Sequence, residues 1–128
     1  MPFLQPSAIV ETVDGRHIKV WRPIQDQSPS TGTVTTIEAG FESDGGSTPK
    51  LVWSLGFTPF GLEWLAYILH DWLYRRTFLP REFCDKMLLE AMEAQGVLEA
   101  KRLAIYEAVR VGGQAAFDDD RAALSGVG

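Results

Sequence analysis

The sequence predicts an α+β domain in which a small antiparallel sheet is followed by a bundle of about three helices. Apolar and polar residues alternate in short runs up to about residue 37, and this period is typical of half-buried strands. From residue 62 onward, apolar residues recur at steps of three and four, which indicates helices that bury one stripe. Strands and helices do not alternate along the chain, so a parallel sheet is not expected.

The first predicted element is a β-hairpin. Apolar residues alternate in the segments 9–13 and 17–21, and Asp14-Gly15 lies between them. This dipeptide is favoured in the two-residue turns that connect antiparallel strands. A third strand is predicted from Thr33 to Ile37, and it continues at Phe41 after a break at Gly40.

Two loops interrupt this sheet region. The segment from Gln25 to Gly32 collects serine, proline and glycine, so it is predicted as a surface loop. The segment from Ser43 to Pro49 contains two adjacent glycines and several small polar residues, a composition that does not favour regular structure.

Three helices are predicted in the second half of the chain. The first extends from about residue 62 to Arg76. The second begins at Pro80, because proline is favoured in the first helical turn, and ends at Gly96. The third extends from about residue 98 to 111 and stops at the glycine pair that follows. Residues 118–128 are predicted as a loosely ordered C-terminal tail, which leaves a single α+β domain over residues 1–117.

Composition narrows the possible functions. With 45% hydrophobic residues among 128, the chain can bury one core but not two. The net charge of −5 repels phosphates, so no nucleic-acid partner is expected. Cys84 is the only cysteine, and we predict a buried, inert thiol in a reducing compartment. The N-terminus lacks the pattern of an export signal, and no apolar run is long enough for a transmembrane segment.

One group of polar residues could carry chemistry. His70, Asp71 and Tyr74 lie on the first predicted helix, and Asp85 lies on the second. A short connection folds the two helices back as an antiparallel pair, so His70 can face Asp85. His70 and Tyr74 share a face, whereas Asp71 is rotated by roughly 100° and would point toward the loop that contains Asp44.

These residue types suit acid–base chemistry. An imidazole held by a carboxylate keeps one ring nitrogen free to accept a proton, and a second carboxylate can hold a hard divalent cation. The predicted catalytic residues are His70, Asp85 and Tyr74, the predicted metal ligands are Asp71 and Asp44, and the predicted binding residues are Gly45, Gly46, Ser47 and Arg75.

The same residues also have purely structural interpretations. His70 can be a hydrogen-bonded core residue, with Asp71 paired to Arg75 one turn later. Basic residues flank the turn between the two helices and are interpreted as a solvated rim, with an anionic group as the alternative occupant. They are Arg75, Arg76 and Arg81.

The glycine-bearing loop leaves two further alternatives open. Asp44 can bond its own backbone in a tight turn that Pro49 terminates. Ser47 can act as a nucleophile with His70 and Asp85, although no Gly-x-Ser-x-Gly motif surrounds it.

Three ordered motifs resemble those of a phage and prophage domain-of-unknown-function family, number thirteen fifty-three, over most of the chain. They read Gly40-Phe41-Glu42-Ser43-Asp44-Gly45-Gly46-Ser47-Thr48-Pro49, then His70-Asp71-Trp72-Leu73-Tyr74, then Asp85 with Met92. Ser43 replaces the usual threonine. The resemblance implies a viral or prophage origin, a location in the bacterial host cytoplasm or the virion, and partners among virion proteins or host envelope components. It implies no reaction.

A shorter segment is similar to phospholipase A2 enzymes, which also have a His-Asp-x-x-Tyr helix facing a Cys-Asp helix after a glycine-rich calcium loop. This resemblance implies that His70 is the base, Asp85 its partner, Asp71 a calcium ligand and Gly45-Gly46 part of the cation loop. It covers less than half of the chain. The disulfides of that family and the Cys-Gly-x-Gly spacing of its loop are absent.

Two classes of function are therefore expected. The first is a small phage-encoded hydrolase, assisted by a divalent cation such as calcium, that acts on a lipid ester or a cell-envelope component. The second is a non-enzymatic virion component of the tail, baseplate or head, or a protein that binds a host factor, in which the same residues form a buried polar network.

Overall fold

The fold is α+β, as predicted. A computed structural model of the chain describes residues 10–12, 18–43 and 64–126. The strands in this part of the chain are β1 (Val10–Thr12), β2 (Ile18–Val20), β3 (Ile24–Gln27), β4 (Val34–Ile37) and β5 (Glu42–Ser43). The helices are α1 (Trp64–Arg76), α2 (Arg81–Ala94), α3 (Glu99–Gly112) and α4 (Gln114–Leu124).

The strands form two small antiparallel sheets. One has the order β1-β2-β5, and the other pairs β3 with β4. The predicted hairpin is present, since Val10 pairs with Val20 and Thr12 with Ile18. The predicted turn at Asp14-Gly15 lies outside the described residues. Strand β4 confirms the third predicted strand, while β5 joins β2 instead of continuing β4.

The prediction of a surface loop from Gln25 to Gly32 was partly wrong. Residues Ile24–Gln27 form β3, and only the residues that follow make the turn toward β4. The strand buries Ile24 and Asp26 on one face. A carboxylate at a buried position breaks the apolar alternation from which strands are recognised, and so the pattern resembled a polar loop.

The first three helices follow the prediction closely. Pro80 lies one residue before α2 and acts as its N-cap residue with φ −58°. The backbone turns out of α2 through Gly96, whose φ of +82° is readily adopted only by glycine. Helix α1 packs against α2 and α4, and α2 also packs against α3.

The prediction of a loosely ordered tail over residues 118–128 was wrong for most of its length. Residues Gln114–Leu124 form α4, which lies against α1. The Arg121 guanidinium donates hydrogen bonds to the carbonyls of Tyr74 (3.0 Å) and Leu73 (3.3 Å). These carbonyls belong to the last turn of α1, where no backbone donor remains to satisfy them. Helix α4 therefore caps the end of α1.

The core lies between the sheets and the inner faces of the helices. Its side chains are the buried apolar residues of both halves of the chain, among them Val20, Ile24, Ile37, Phe41, Leu69, Leu73, Leu88, Met92, Ile105 and Val109. Three ionisable residues of the two central helices are also buried: His70, Asp71 and Asp85. Within residues 10–12, 18–43 and 64–126, no helix has the length and apolar character needed to span a bilayer.

Candidate functional site

The structure brings His70 and Asp85 together. Helices α1 and α2 are joined by a short connection and pack side by side, so the imidazole of His70 on α1 faces the carboxylate on α2. His70 Nε2 lies 2.7 Å from Asp85 Oδ1, and both side chains are 0% exposed. This contact is short enough for a strong hydrogen bond.

Tyr74 contacts the same carboxylate oxygen. It lies one turn after His70, and the two rings contact each other at a tilt of 49°, with centroids 4.2 Å apart. The Tyr74 hydroxyl donates to Asp85 Oδ1 at 2.5 Å. The three predicted catalytic residues therefore form one buried cluster, and the face shared by positions i and i+4 of a helix accounts for it.

Two arginines that sequence reasoning did not place in the site bind the other carboxylate oxygen. Arg110 Nη1 lies 2.7 Å from Asp85 Oδ2, and Arg81 Nη1 lies 3.4 Å from it. Arg81 was interpreted as part of a solvated rim, but its side chain is only 14% exposed. Its position four residues before Asp85 on the same helix was the available signal. No comparable signal in the sequence pointed to Arg110, because this residue lies on a different helix, α3.

Asp85 is held as a carboxylate. Burial by itself would raise the pKa of Asp85, but the hydrogen bonds from His70, Tyr74 and Arg110 outweigh that effect and lower its pKa below the ordinary value of 3.8. Each oxygen of the Asp85 carboxylate accepts hydrogen bonds, and its buried charge is also paired with the charges of the two arginines.

The ionised carboxylate fixes the tautomer of His70. An ionised carboxylate can only accept, so the neutral imidazole carries its proton on Nε2 and donates it to Asp85. Burial, together with the Asp85 carboxylate, raises the pKa of Tyr74 far above its usual range, so the phenol also remains a donor. In that neutral tautomer, the lone pair of the imidazole is on Nδ1.

His70 Nδ1 is a buried acceptor whose hydrogen-bonding capacity is unused. It is fully buried and has no hydrogen-bond partner in the part of the chain that the structure describes. Buried polar atoms are nearly always paired, so an unpaired one calls for a specific explanation, such as a ligand, a water molecule or a reacting group. Nδ1 is the atom at which the cluster can accept a proton.

Helix α3 approaches this cluster closely because Gly113 has no side chain. A Cβ atom at Gly113 would lie 2.5 Å from the carbonyl oxygen of Val109 and 3.3 Å from both Arg81 Nη1 and the Tyr74 hydroxyl. Arg81 also donates to the carbonyls of Val109 (3.2 Å) and Arg110 (3.0 Å). The end of α3 is thereby fastened next to Asp85.

The predicted metal ligands are only partly within the described residues. Asp71 is 2% exposed, and its Oδ2 lies 3.5 Å from Arg75 Nη1, as the helical spacing predicted. Arg75 Nη1 also donates to the carbonyl of Glu42 at 2.6 Å. The other predicted site residues, Asp44, Gly45, Gly46 and Ser47, lie outside the described residues. Among those described, no three histidine, cysteine, aspartate or glutamate side chains converge on a common metal position.

A family model described as "Protein of unknown function (DUF1353)" matches residues 18–109, which is well over half of the chain. The chain belongs to the DUF1353 family. The DUF1353 match extends from β2 to the last turn of α3 and includes His70, Tyr74, Arg81 and Asp85. It ends one residue before Arg110, so this arginine and α4 lie beyond the matched DUF1353 segment.

No curated protein and no solved structure matches this DUF1353 chain. The similarity to phospholipase A2 enzymes therefore rests on the residues themselves. These are the His70-to-Tyr74 motif on α1, Asp85 on α2, and the contacts that join them.

Proposed function

We propose that this protein is a hydrolase that uses His70 as its general base. One observation carries the proposal: the imidazole is fixed through Nε2 by Asp85, while Nδ1 has no hydrogen-bond partner among the described residues. A base of this kind can take a proton from water as the water attacks a carbonyl carbon. The same tautomer control by a buried carboxylate operates in known hydrolytic sites.

Each residue of the cluster has a definite part in this proposal. His70 Nδ1 accepts the proton of the attacking water, and the positive imidazolium that results is stabilised by Asp85. Tyr74, Arg81 and Arg110 are positioning residues, since they act by holding the Asp85 carboxylate. Proton transfer by such a base contributes roughly 10²–10⁴-fold to the rate.

The proposed substrate is a carboxylic ester of a lipid or of a cell-envelope component. The support is the local similarity to phospholipase A2 enzymes at His70, Asp71 and Asp85. We further propose that Asp71 and Asp44 hold a calcium ion that assists this reaction. Phage or prophage origin, which the family resemblance implies, is consistent with an enzyme directed at a bacterial envelope.

The test is ester hydrolysis by the full chain, measured with phospholipid vesicles and with a soluble p-nitrophenyl ester. We expect His70→Ala to reduce kcat by about 10² or more. Tyr74→Phe is the matched control, because it removes a contact to Asp85 without removing the base. Both variants are compared by thermal melting, so that a loss of activity can be separated from a loss of fold.

Calcium dependence is measured with the same substrates in calcium and in EDTA. Activity that survives His70→Ala, or wild-type protein that hydrolyses neither ester, would overturn the proposal. Equal activity in calcium and in EDTA would exclude a role for calcium, but the proposal that His70 is the general base would stand.

A second candidate function is favoured by the complete burial of His70. The imidazole is 0% exposed, and a base must meet water to act. In a non-enzymatic virion or assembly component, the same network would serve to fix α1, α2 and α3 relative to one another. Mass spectrometry of purified particles from a host strain that encodes the protein separates these functions. Stoichiometric presence in the particle, without ester hydrolysis, supports the structural role.

A further inference from the structure

A second polar cluster, which does not include His70 or its contacts, lies between the β3–β4 hairpin and helix α2. It consists of Asp26 and Ser28, Ser30 in the hairpin turn, and Glu90 on α2. Asp26 and Ser28 lie two residues apart on an extended segment and therefore face the same side. Each is only 1% exposed, whereas Glu90 is partly exposed.

The oxygen atoms of this cluster are closely spaced. Ser28 Oγ lies 3.2 Å from both Ser30 Oγ and Glu90 Oε1, and Ser30 Oγ lies 2.9 Å from Glu90 Oε2. Neighbouring oxygen ligands of an octahedral ion with metal–oxygen bonds of about 2.0–2.1 Å are separated by roughly 2.9 Å. The observed separations are those of hydrogen bonds, in which the two serine hydroxyls donate to Glu90, and they are also close to the edges of such a coordination shell.

Asp26 is the observation that points to a ligand. Both of its carboxylate oxygens are buried, and neither has a hydrogen-bond partner in the described part of the chain. Its side chain leaves β3 on the face of Ser28, whose hydroxyl contacts Glu90. A buried carboxylate with no donor is strongly unfavourable unless a proton or a cation compensates it.

Among the described residues, Asp26 has a negatively charged neighbour, Glu90, and no ion-pair partner. Burial and the charge of Glu90 raise the pKa of Asp26 to about 6. Neither carboxylate forms an ion pair within residues 10–12, 18–43 and 64–126. A surface pocket of about 460 Å³, lined by Pro29, Ser30, Glu90, Glu93 and Ala94, opens the Ser30 and Glu90 side of the cluster to solvent.

We propose that this cluster binds a divalent cation of the size of Mg²⁺. Ser28, Ser30 and Glu90 contribute oxygen ligands, and Asp26 contributes its carboxylate directly or through a water molecule. Oxygen ligands from one or two carboxylates, completed by water, are the usual environment of Mg²⁺ in proteins. The ion would join the hairpin to α2, and this site is independent of the proposed chemistry at His70.

The test uses the full-length chain after EDTA treatment and dialysis, at pH 7.5. Mg²⁺ binding is followed by calorimetry and by the melting temperature, and Mn²⁺ is added as a paramagnetic probe in NMR spectra. We expect saturable binding, a rise in melting temperature with Mg²⁺, and selective broadening of the amide signals of Ser28, Ser30 and Glu90.

Asp26→Asn is the decisive variant. It removes a buried charge, so in EDTA it should melt above the wild type, which shows that the variant folds. It should also weaken Mg²⁺ binding by about tenfold or more. Glu107→Gln is the matched control, since Glu107 is an exposed acid on α3, and it should bind Mg²⁺ like the wild type.

Three outcomes would overturn the proposal. They are wild-type protein that does not bind Mg²⁺ in the millimolar range, equal weakening by Asp26→Asn and Glu107→Gln, and Mn²⁺ broadening that avoids residues 28–30. The second outcome would mean that the ion is attracted only by the net negative charge.

Discussion

Replacing Asp85 by asparagine tests the buried network most directly. The carboxylate is 0% exposed and accepts hydrogen bonds from His70 and Tyr74 on Oδ1 and from Arg110 and Arg81 on Oδ2. Asparagine has nearly the same shape, but it has no charge, and its NH₂ group would be a donor facing other donors. The variant thus removes the electrostatic partner while preserving the packing.

The expected cost follows from the burial of each partner. Breaking a buried ion pair costs about 3–5 kcal/mol. Arg110 is 33% exposed and can turn toward water once its partner is lost. We therefore expect Asp85→Asn to cost about 3 kcal/mol, the lower end of this range. In a chain of this length, that corresponds to a fall in melting temperature of about 10 °C. Tyr74→Phe removes one hydrogen bond and should cost about 1 kcal/mol.

The free energy of unfolding is measured by urea titration with tryptophan fluorescence, and the slope of the transition serves as a check for two-state behaviour. Because the folded pKa of Asp85 lies below 3.8, its contribution is complete above that pH and is lost as the pH falls through the folded pKa. The difference in the free energy of unfolding between the wild type and Asp85→Asn should therefore become smaller at acidic pH. A cost below about 1 kcal/mol at pH 7, or one equal to that of Tyr74→Phe, would refute this account of the network.

Three more predictions concern the C-terminal half of the chain. Arg121→Ala should destabilise the protein by about 1–2 kcal/mol and speed amide hydrogen exchange in residues 114–124, because the cap on α1 is lost; unchanged exchange would contradict the docking of α4. Gly113→Ala should cost about 2 kcal/mol or more, since its Cβ would lie 2.5 Å from the Val109 carbonyl oxygen, and a melting temperature within error of the wild type would contradict that close approach. Burial raises the pKa of Cys84 to about 11, so its reaction with a thiol reagent at pH 8 should be slow until urea unfolds the chain, and rapid modification of the folded protein would contradict this.

Local spacing was sufficient to predict the centre of the site. Helix geometry determines the shared face of His70 and Tyr74 on α1, and the short turn brings α2 back beside it, so the meeting of these two residues with Asp85 could be deduced from the sequence. Arg110 could not be deduced. Its side chain reaches Asp85 only because α3 crosses α2 at a particular angle, which depends on packing among the helices rather than on any local pattern.

The two errors in the fold have different physical reasons. The sequence of β3 resembles that of a loop because Asp26 occupies an inward position where an apolar residue is expected. Helix α4 was read as a tail because none of its residues is fully buried. It is held by Arg121 and by the edge of Phe117 against Tyr74, and neither contact gives the periodic apolar stripe by which helices are recognised.

The groups that complete the centre of the molecule lie on the two helices that follow α2 in the chain. Arg110 neutralises the Asp85 charge, and Arg121 satisfies the carbonyls at the end of α1. A nascent chain that has emerged only as far as α2 must therefore bury a carboxylate before its main counter-charge exists. We therefore expect the docking of α1 on α2 to become fully stable only when α3 and α4 are also folded. Deletions within α3 or α4 should consequently lower the yield of folded protein.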